Sequence, residues 1–271
     1  MYININDTTY YVTQSGDGPP VLLLHGFTGA HSTWSDFMSS HPSLHCVAID
    51  MPGHGRTEGD LDFTMESVCK DIATLLDYLQ LDEVHLLGYS MGGRTALSFA
   101  MIFPERVASL TLESASPGLG TVQEQLARQT KDESLAEQIE AKGVEAFVDY
   151  WETLPMFSTQ QDLPYNTQHV IRKERVQHSA KGLAASLRGM GTGIQPSWWD
   201  RLSTFEQPVL LITGEKDEKF TSIAKKMENQ FQNARHVEIK QAGHAIHVEQ
   251  TRFFGKIVDD FILGMEPGES A

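Results

Sequence analysis

The stretch Leu86-Leu87-Gly88-Tyr89-Ser90-Met91-Gly92-Gly93-Arg94 decides the fold of this chain. An apolar run typical of a strand enters the pattern Gly-x-Ser-x-Gly, and residues typical of a helix follow it. In such a tight strand-to-helix turn, glycines two residues to either side of the serine let neighbouring backbone pass without a Cβ clash. The pattern therefore predicts that Ser90 is the centre of a catalytic site.

The composition of the chain limits its size class and its partners. A chain of 271 residues suits one large α/β domain, with or without an insertion, and its core needs no disulfide or metal. The two cysteines, Cys46 and Cys69, show no metal-ligand spacing and are expected to be buried thiols. The net charge of −15 at pH 7 argues against nucleic acid and anionic membrane as partners.

Nothing in the sequence predicts a membrane span or a secretion signal. Residues 1–6 lack a basic segment followed by an apolar one, and no run reaches the roughly 18 apolar residues of a transmembrane helix. We therefore expect a cytoplasmic protein with no membrane insertion. Because no heptad seam or long apolar patch is evident, we expect a monomer or a weak homo-oligomer.

Segments with strand and helix patterns alternate toward both ends of the chain. This alternation predicts an α/β fold with a mostly parallel central sheet covered by helices on both faces. The tail, residues 266–271, is expected to be disordered. The predicted strands are 8–13, 20–24, 44–50, 83–87, 107–112, 208–214 and 236–240, and the predicted helices are 64–79, 91–103, 221–231 and 249–263.

The alternation stops between about residues 117 and 196. Long polar or amphipathic helical stretches, such as 123–142 and 143–154, occupy this part of the chain. An all-helical insertion between two halves of a sheet would lie over the carboxyl ends of the strands, where ligands bind in open α/β sheets. We therefore predict an α/β core of residues 1–116 and 197–271 and a helical cap, or lid, of residues 117–196.

An acid and a histidine follow Ser90 in the order that this type of turn requires. A serine needs a histidine within hydrogen-bond reach and an acid that holds the histidine in one tautomer. Asp217 follows the strand that ends at residue 214, and His244 follows the next strand. The rivals for these two roles are Glu215 and His247.

Two further turns follow strands near the predicted site. The turn at residues 25–29 is expected to contribute the backbone amide of Phe27 to an oxyanion hole, and the amide of Met91, at the start of a helix, is expected to be the other donor. The turn at residues 50–56 contains His54, which is interpreted as part of a rigid structural turn because proline and glycine flank it.

The chain resembles the α/β-hydrolase superfamily along nearly its whole length. The motifs that carry this resemblance are HGFTG from residue 25, DMPGHG from residue 50, GYSMGG from residue 88, GEKD from residue 214 and AGHAIH from residue 242. Within the superfamily it is similar to the pyruvate-eliminating lyases of menaquinone (vitamin K2) biosynthesis. That closer resemblance rests on Arg94 and on the stretches 113–119, 147–152, 172–175, 182–193 and 217–220.

The closer resemblance implies a lyase that needs no cofactor and no metal. In such an enzyme the triad of Ser90, Asp217 and His244 removes a proton from a small-molecule polycarboxylate, pyruvate leaves, and a ring diene forms. Serine then acts as a base toward carbon, while the oxyanion hole stabilises enolate-like charge.

Arginines near the predicted site are expected to bind the substrate carboxylates, because guanidinium groups form paired hydrogen bonds with carboxylates. The candidates are Arg94, directly after the serine turn, with Arg128 and Arg175 from the cap, and Arg172 is an alternative to Arg175. Aromatic residues are also expected near this site. Tyr89 and Trp151 are expected to form walls of the pocket, whereas Trp198 and Trp199 are expected to pack in the core.

Two other functions are compatible with the same residues. An esterase or carbon-carbon bond hydrolase would use Ser90 as a nucleophile or as an aid to water. A non-catalytic ligand receptor would not need the ordered serine, aspartate and histidine. A pocket rich in arginine favours the lyase, whereas an apolar cap would favour the hydrolase.

Overall fold

The computed structural model describes residues 1–264, which form a mixed β-sheet between helices. The tail predicted to be disordered, residues 266–271, lies outside the described residues. The strands are β1 (Tyr2–Ile5), β2 (Thr8–Ser15), β3 (Pro20–Leu24), β4 (His45–Ile49), β5 (Glu58–Gly59), β6 (Val84–Tyr89), β7 (Val107–Glu113), β8 (Val209–Gly214) and β9 (Ala234–Ile239). The helices are α1 (Ser35–Ser40), α2 (Met65–Tyr78), α3 (Met91–Ile102), α4 (Val122–Trp151), α5 (Tyr165–Val176), α6 (Ala180–Met190), α7 (Glu218–Glu228), α8 (Ile246–Glu249) and α9 (Thr251–Ile262).

The sheet has the strand order β1-β2-β4-β3-β6-β7-β8-β9, with β5 paired to β2. Along this order, every strand pair from β4-β3 to β8-β9 is parallel. β2 is antiparallel to β1, β4 and β5. The predicted mostly parallel α/β sheet is therefore confirmed, and the sequence analysis missed the edge strands β1 and β5.

Side chains of each central strand enter two separate apolar cores. Leu22 and Leu24 pack in one core with residues of α2, α3 and α7, whereas Val21 and Leu23 pack in the other with residues of α1 and α9. This alternation follows from the period of two along a β-strand. Both faces of the sheet are thus covered by helices.

The chain between β7 and β8 is helical, with α4, α5, α6 and a 3-10 segment at Pro155–Asp162. α4 is broken at Gly143, where φ is 82°. α4 and α6 share a small apolar cluster, and Phe27 of the turn after β3 packs against it. Its members are Ala136, Ile139, Phe147, Val148, Leu183, Ala184 and Leu187. The division into a core of residues 1–116 and 197–271 and a cap of residues 117–196 stays a prediction.

Two smaller expectations concern the cysteines and the membrane. Cys46 and Cys69 are free and buried, as predicted, and burial raises the pKa of each thiol to about 12. Over residues 1–264, none of the helices is both long enough and apolar enough to span a bilayer.

Candidate active site

The predicted catalytic residues lie beyond the carboxyl ends of three parallel strands of the sheet. Ser90 follows β6, Asp217 follows β8 and His244 follows β9. Ligand sites of open α/β sheets lie at this edge, because parallel strands all end there. The sheet order therefore brings Ser90 close to His244 and Asp217, which lie 154 and 127 positions later in the sequence.

Ser90 lies in a strained turn between β6 and α3. Its backbone has φ 51° and ψ −105°, an unfavourable conformation for a residue with a Cβ atom. The Ser90 N–H donates to the backbone oxygen of Glu113 at 2.8 Å, which fixes the turn to β7. A Cβ atom at Gly92 would lie 2.0 Å from the oxygen of Leu24, so only glycine fits beside β3.

Ser90, His244 and Asp217 form a continuous hydrogen-bonded chain. His244 Nδ1–H donates to Asp217 Oδ2 at 2.6 Å, which leaves Nε2 as the acceptor. Ser90 Oγ donates to this Nε2 at 3.0 Å. The imidazole is buried. This geometry lets the imidazole take a proton from Ser90 and lets Asp217 stabilise the resulting charge.

The structure does not bring the rival residues into this chain. His247 Nδ1 bonds to the carboxylate of Glu113 at 2.9 Å. Glu215 Oε2 accepts the backbone N–H of Gln241. His54 donates Nδ1–H to the backbone oxygen of Pro52 at 3.1 Å, in agreement with a structural turn.

Phe27 and Met91, the predicted oxyanion donors, line the same cavity as Ser90. Met91 is the first residue of α3, so its N–H has no acceptor within the helix. The turn containing Phe27 is closed by a bond from Gly29 N–H to the oxygen of Gly26 at 3.0 Å. Both residues thus border the cavity that contains Ser90, and the role of their amides as oxyanion donors stays a prediction.

The cavity beside Ser90 has a volume of about 210 Å³. Three of its lining residues carry a positive charge: Arg94, Arg128 and Lys219. Apolar side chains close much of the rest of the wall. The wall includes Phe27, Tyr89, Trp151, Met156, Phe157, Leu187, Met190, Phe220 and Ile223.

Arg94 is a buried cation held by neutral groups. Its Nη1 donates to the backbone oxygen of Met190 at 2.7 Å and to Gln195 Oε1 at 3.2 Å. Within residues 1–264, no carboxylate lies within ion-pair distance of this guanidinium. Burial, and secondarily Arg128, lowers the pKa of Arg94 to about 10 against an opposing effect of the Asp132 charge, so the group stays charged at neutral pH. A buried cation without a carboxylate favours binding of an anion.

Arg128 and Lys219 add charge to the same wall. Arg128 Nε donates to Asp132 Oδ1 at 2.7 Å, which fixes the arginine along α4. Burial, followed by the charge of Arg128, lowers the pKa of Lys219. The sequence analysis assigned no role to Lys219; its position two residues after Asp217, at the start of α7, is the signal that would have found it.

Arg175 and Arg172 do not line this cavity. The Arg175 guanidinium lies over the Phe157 ring at 4.8 Å and bonds to Glu152 and Gln160. Arg175 instead lines an adjacent cavity of about 500 Å³ that shares Phe27, Tyr89 and Phe157 with the first. Arg172 is more exposed and pairs with Asp149 and Glu152. Substrate binding by Arg175 stays a prediction.

Tyr89 and Trp151, the two predicted wall residues, both line the Ser90 cavity. The Tyr89 ring packs against His244 at a centroid distance of 5.4 Å. The Trp151 ring packs against Phe27 at 5.5 Å, and its buried Nε1 has no hydrogen-bond partner in the described chain. Trp198 and Trp199, predicted as packing residues, bond to Ser98 Oγ and to the backbone oxygen of Gly118.

The described residues contain no group of three or more histidine, cysteine or acidic side chains arranged to hold a metal ion. The polar groups identified at the site are the triad and the three cations of the cavity wall.

Fold and site together define an α/β hydrolase. A family model of the alpha/beta hydrolase fold matches residues 19–251, and the chain belongs to this family. Among its relatives is a protein of Bacillus subtilis with the provisional name 2-succinyl-6-hydroxy-2,4-cyclohexadiene-1-carboxylate synthase. The two are 44% identical over 97% of this chain and 98% of the relative.

Two further comparisons point to the same group. The 2-succinyl-6-hydroxy-2,4-cyclohexadiene-1-carboxylate synthase of Enterobacter sp. strain 638 is 29% identical over 85% of this chain and 86% of that protein. The solved structure of MenH from S. aureus superposes with a TM-score of 0.90 and 35% sequence identity, covering 94% of this chain and 98% of that one.

Proposed function

We propose that this protein is a lyase of menaquinone biosynthesis. Its substrate is 2-succinyl-5-enolpyruvyl-6-hydroxy-3-cyclohexene-1-carboxylate, and its products are pyruvate and 2-succinyl-6-hydroxy-2,4-cyclohexadiene-1-carboxylate. The names of its relatives support this reaction. The observation that carries the proposal is the group of three cations beside Ser90, in which Arg94 is buried with no carboxylate partner among residues 1–264.

The cations match the charge of this substrate. The substrate carries three carboxylates, on the ring, the succinyl chain and the enolpyruvyl group. A protein with a net charge of −15 repels such an anion unless positive charge is concentrated at the site. Arg94, Arg128 and Lys219 supply that local charge, and the guanidinium groups offer paired donors to carboxylates.

The triad begins the reaction by removing a proton from carbon. The ring carbon that bears the succinyl group has an acidic C–H bond, because the adjacent ketone stabilises the resulting enolate. Ser90 takes this proton as its own hydroxyl proton passes to His244 Nε2, and Asp217 stabilises the imidazolium. The amides of Phe27 and Met91 donate to the enolate oxygen.

Collapse of the enolate completes the elimination. The electron pair shifts through the ring double bond, the bond from the ring to the enolpyruvyl oxygen breaks, and the ring diene forms. The departing enolpyruvate takes up one proton and becomes pyruvate. No water, metal or cofactor enters the balance, and the aromatic wall of Trp151 and Phe157 limits access of water to the reacting carbons.

A second reading is an esterase or carbon-carbon bond hydrolase in which Ser90 attacks a carbonyl. The observation that favours it is the triad itself, because the same hydrogen bonds activate a serine nucleophile. The three cations distinguish the lyase from the hydrolase, because a neutral ester carries no carboxylate for Arg94 to bind.

We further propose that the polycarboxylate is the only ligand class this site requires. The protein then acts in the cytoplasm as a monomer or weak homo-oligomer, without nucleic-acid or membrane partners. The strongly acidic composition supports the last point.

A coupled assay tests the proposal. The preceding enzyme of the pathway generates the unstable substrate, and pyruvate release is followed with wild-type protein, with Ser90→Ala and with Ser203→Ala, a change of an exposed serine. We expect wild-type and Ser203→Ala to accelerate release equally and Ser90→Ala to lose at least about 10³-fold in kcat. Rapid cleavage of p-nitrophenyl acetate with no pyruvate above the spontaneous rate would establish the hydrolase instead.

A further inference from the structure

We propose that His178 is a positioning residue that connects the helical segment between β7 and β8 to the oxyanion turn. This inference rests on the proposed oxyanion role of Phe27. His178 lies between α5 and α6, directly before Ser179, the N-cap residue of α6. Within residues 1–264 it forms no hydrogen bond with Ser90, Asp217 or His244.

His178 bonds to two turns of the core at once. Its Nε2–H donates to the backbone oxygen of Thr28 at 2.8 Å. Its Nδ1 accepts the backbone N–H of Gly55 at 3.2 Å. Because a carbonyl can only accept and an amide can only donate, these partners define a neutral ring with the proton on Nε2. The imidazole is buried, so either bond is hard to replace with water.

The bond to Thr28 acts on a strained part of the oxyanion turn. Thr28 directly follows Phe27 and has φ 69°, a left-handed conformation that a β-branched residue rarely adopts. Such a conformation persists only where surrounding contacts fix it. His178 supplies one of these contacts, and the closing bond from Gly29 to Gly26 supplies another. The direction of the Phe27 N–H depends on both.

Two other histidines, His25 and His54, also contact the turn that contains Phe27 and Thr28. His25 donates Nδ1–H to the oxygen of Gly26 at 2.8 Å. The His54 ring lies 5.2 Å from both the His25 and the His178 rings, and 5.5 Å from the Phe27 ring. Burial lowers the pKa of all three imidazoles, which agrees with the neutral rings that these bonds require.

Helix α6, which begins two residues after His178, contacts the turn at residues 50–55 directly. A Cβ atom at Gly53 would lie 2.4 Å from the backbone oxygen of Gly182, and a Cβ atom at Gly182 would lie 2.4 Å from the oxygen of Gly53. The first turn of α6 and the 50–55 turn therefore touch backbone to backbone. Any shift of α6 moves His178 relative to Thr28. The Phe27 N–H is therefore correctly placed only when α6 is in contact with the turn at residues 50–55.

Two variants of His178 separate positioning from simple support of the fold. In His178→Leu both hydrogen bonds are lost, and we expect kcat for pyruvate release, per folded enzyme, to fall about 10- to 100-fold with KM within about threefold. In His178→Gln the side-chain amide both donates and accepts, and we expect kcat within about fivefold of wild type. His169→Leu, which changes an exposed histidine of α5, is the matched control.

A substrate-independent measurement accompanies the kinetics. In protein labelled with 15N-phenylalanine, we expect the amide signal of Phe27 to shift in His178→Leu and to stay in place in His178→Gln and His169→Leu. An unmoved Phe27 signal in folded His178→Leu overturns the inference, as does an equal loss of kcat in the leucine and glutamine variants. If wild-type protein releases no pyruvate, the proposed function fails, while the Phe27 signal still decides the role of His178.

Discussion

The carboxylate of Glu113 accepts both the backbone N–H and the ring Nδ1–H of His247, each at 2.9 Å. The backbone oxygen of Glu113 also accepts the N–H of Ser90. Glu113 is fully buried, so the serine turn and this acid-imidazole pair are anchored to one residue. The Tyr89 ring packs against His247 at 4.6 Å and separates this pair from His244.

The two histidines are therefore expected to respond differently to removal. His244→Leu removes the proton acceptor of Ser90, and we expect kcat to fall at least about 10³-fold with little loss of stability. His247→Leu leaves the buried Glu113 carboxylate without its side-chain hydrogen-bond donor, and we expect about 3 kcal/mol lower unfolding free energy with kcat per folded enzyme within about tenfold. Pyruvate-release kinetics and urea unfolding measure both effects, and a reversed pattern would make His247 the base.

The acid of the triad can be tested against its neighbour. Asp217→Asn keeps the size of the side chain but removes the charge that stabilises the imidazolium, and we expect kcat to fall about 10⁴-fold. Glu215→Gln is the control, because its carboxylate bonds only to the backbone N–H of Gln241 in the described structure and we expect near-wild-type kcat. Equal losses in the two variants would contradict the assignment.

Arg94 is expected to govern selectivity for charged substrate. In Arg94→Gln the buried cation is lost, and we expect kcat/KM for the polycarboxylate to fall about 100-fold, while any hydrolysis of p-nitrophenyl acetate is unchanged. Arg172→Gln is the control, because Arg172 pairs with Asp149 and Glu152 away from the cavity. An Arg94→Gln enzyme with wild-type kinetics would remove the main support for the substrate class.

The stability of the protein is expected to fall in mild acid. Burial lowers the pKa of His25 from 6.5 to about 4 in the folded chain. Between these values the unfolded chain binds the proton and the folded chain does not, so unfolding free energy decreases as pH falls through this window. We expect His25 alone to account for about 2 kcal/mol between pH 7.5 and pH 5.

Urea unfolding at the two pH values checks this expectation. His25→Gln should show a smaller loss on acidification than wild type, whereas His169→Gln, at an exposed position, should behave like wild type. The difference between variants isolates the histidine from carboxylates that titrate in the same range. An identical pH dependence in His25→Gln and wild type would contradict the buried neutral ring.

The strands and turns around Ser90 can be predicted from the sequence, because short-range residue patterns determine them. Each central strand is a short apolar run that ends in a turn, and the carboxyl ends of parallel strands meet at one edge. Edge strand β1 is not predicted by this pattern, because it is not a continuous apolar run. It has only four residues, of which every second one is buried, and it pairs only with β2. The two-residue strand β5 leaves no periodic signal.

The surroundings of the arginines are not readable in the same way. Gln195 contacts Arg94 across 101 positions of sequence, and His178 contacts Thr28 across 150. Both contacts depend on how the segment between β7 and β8 lies on the core, which is set by packing between amphipathic helices rather than by residue spacing. For the same reason, spacing alone does not indicate that Arg175 lies over the Phe157 ring and lines the adjacent cavity rather than the one beside Ser90.

The break at Gly143 divides α4 into two halves, each of which contributes to the wall of the Ser90 cavity. The half before the break carries Arg128, and the half after it carries Trp151, and both residues line the Ser90 cavity. Under the proposed function, the half before Gly143 offers positive charge to the substrate and the half after it offers an aromatic surface. An enzyme that performs the same reaction on a different carbon skeleton would then need changes only in the half after Gly143.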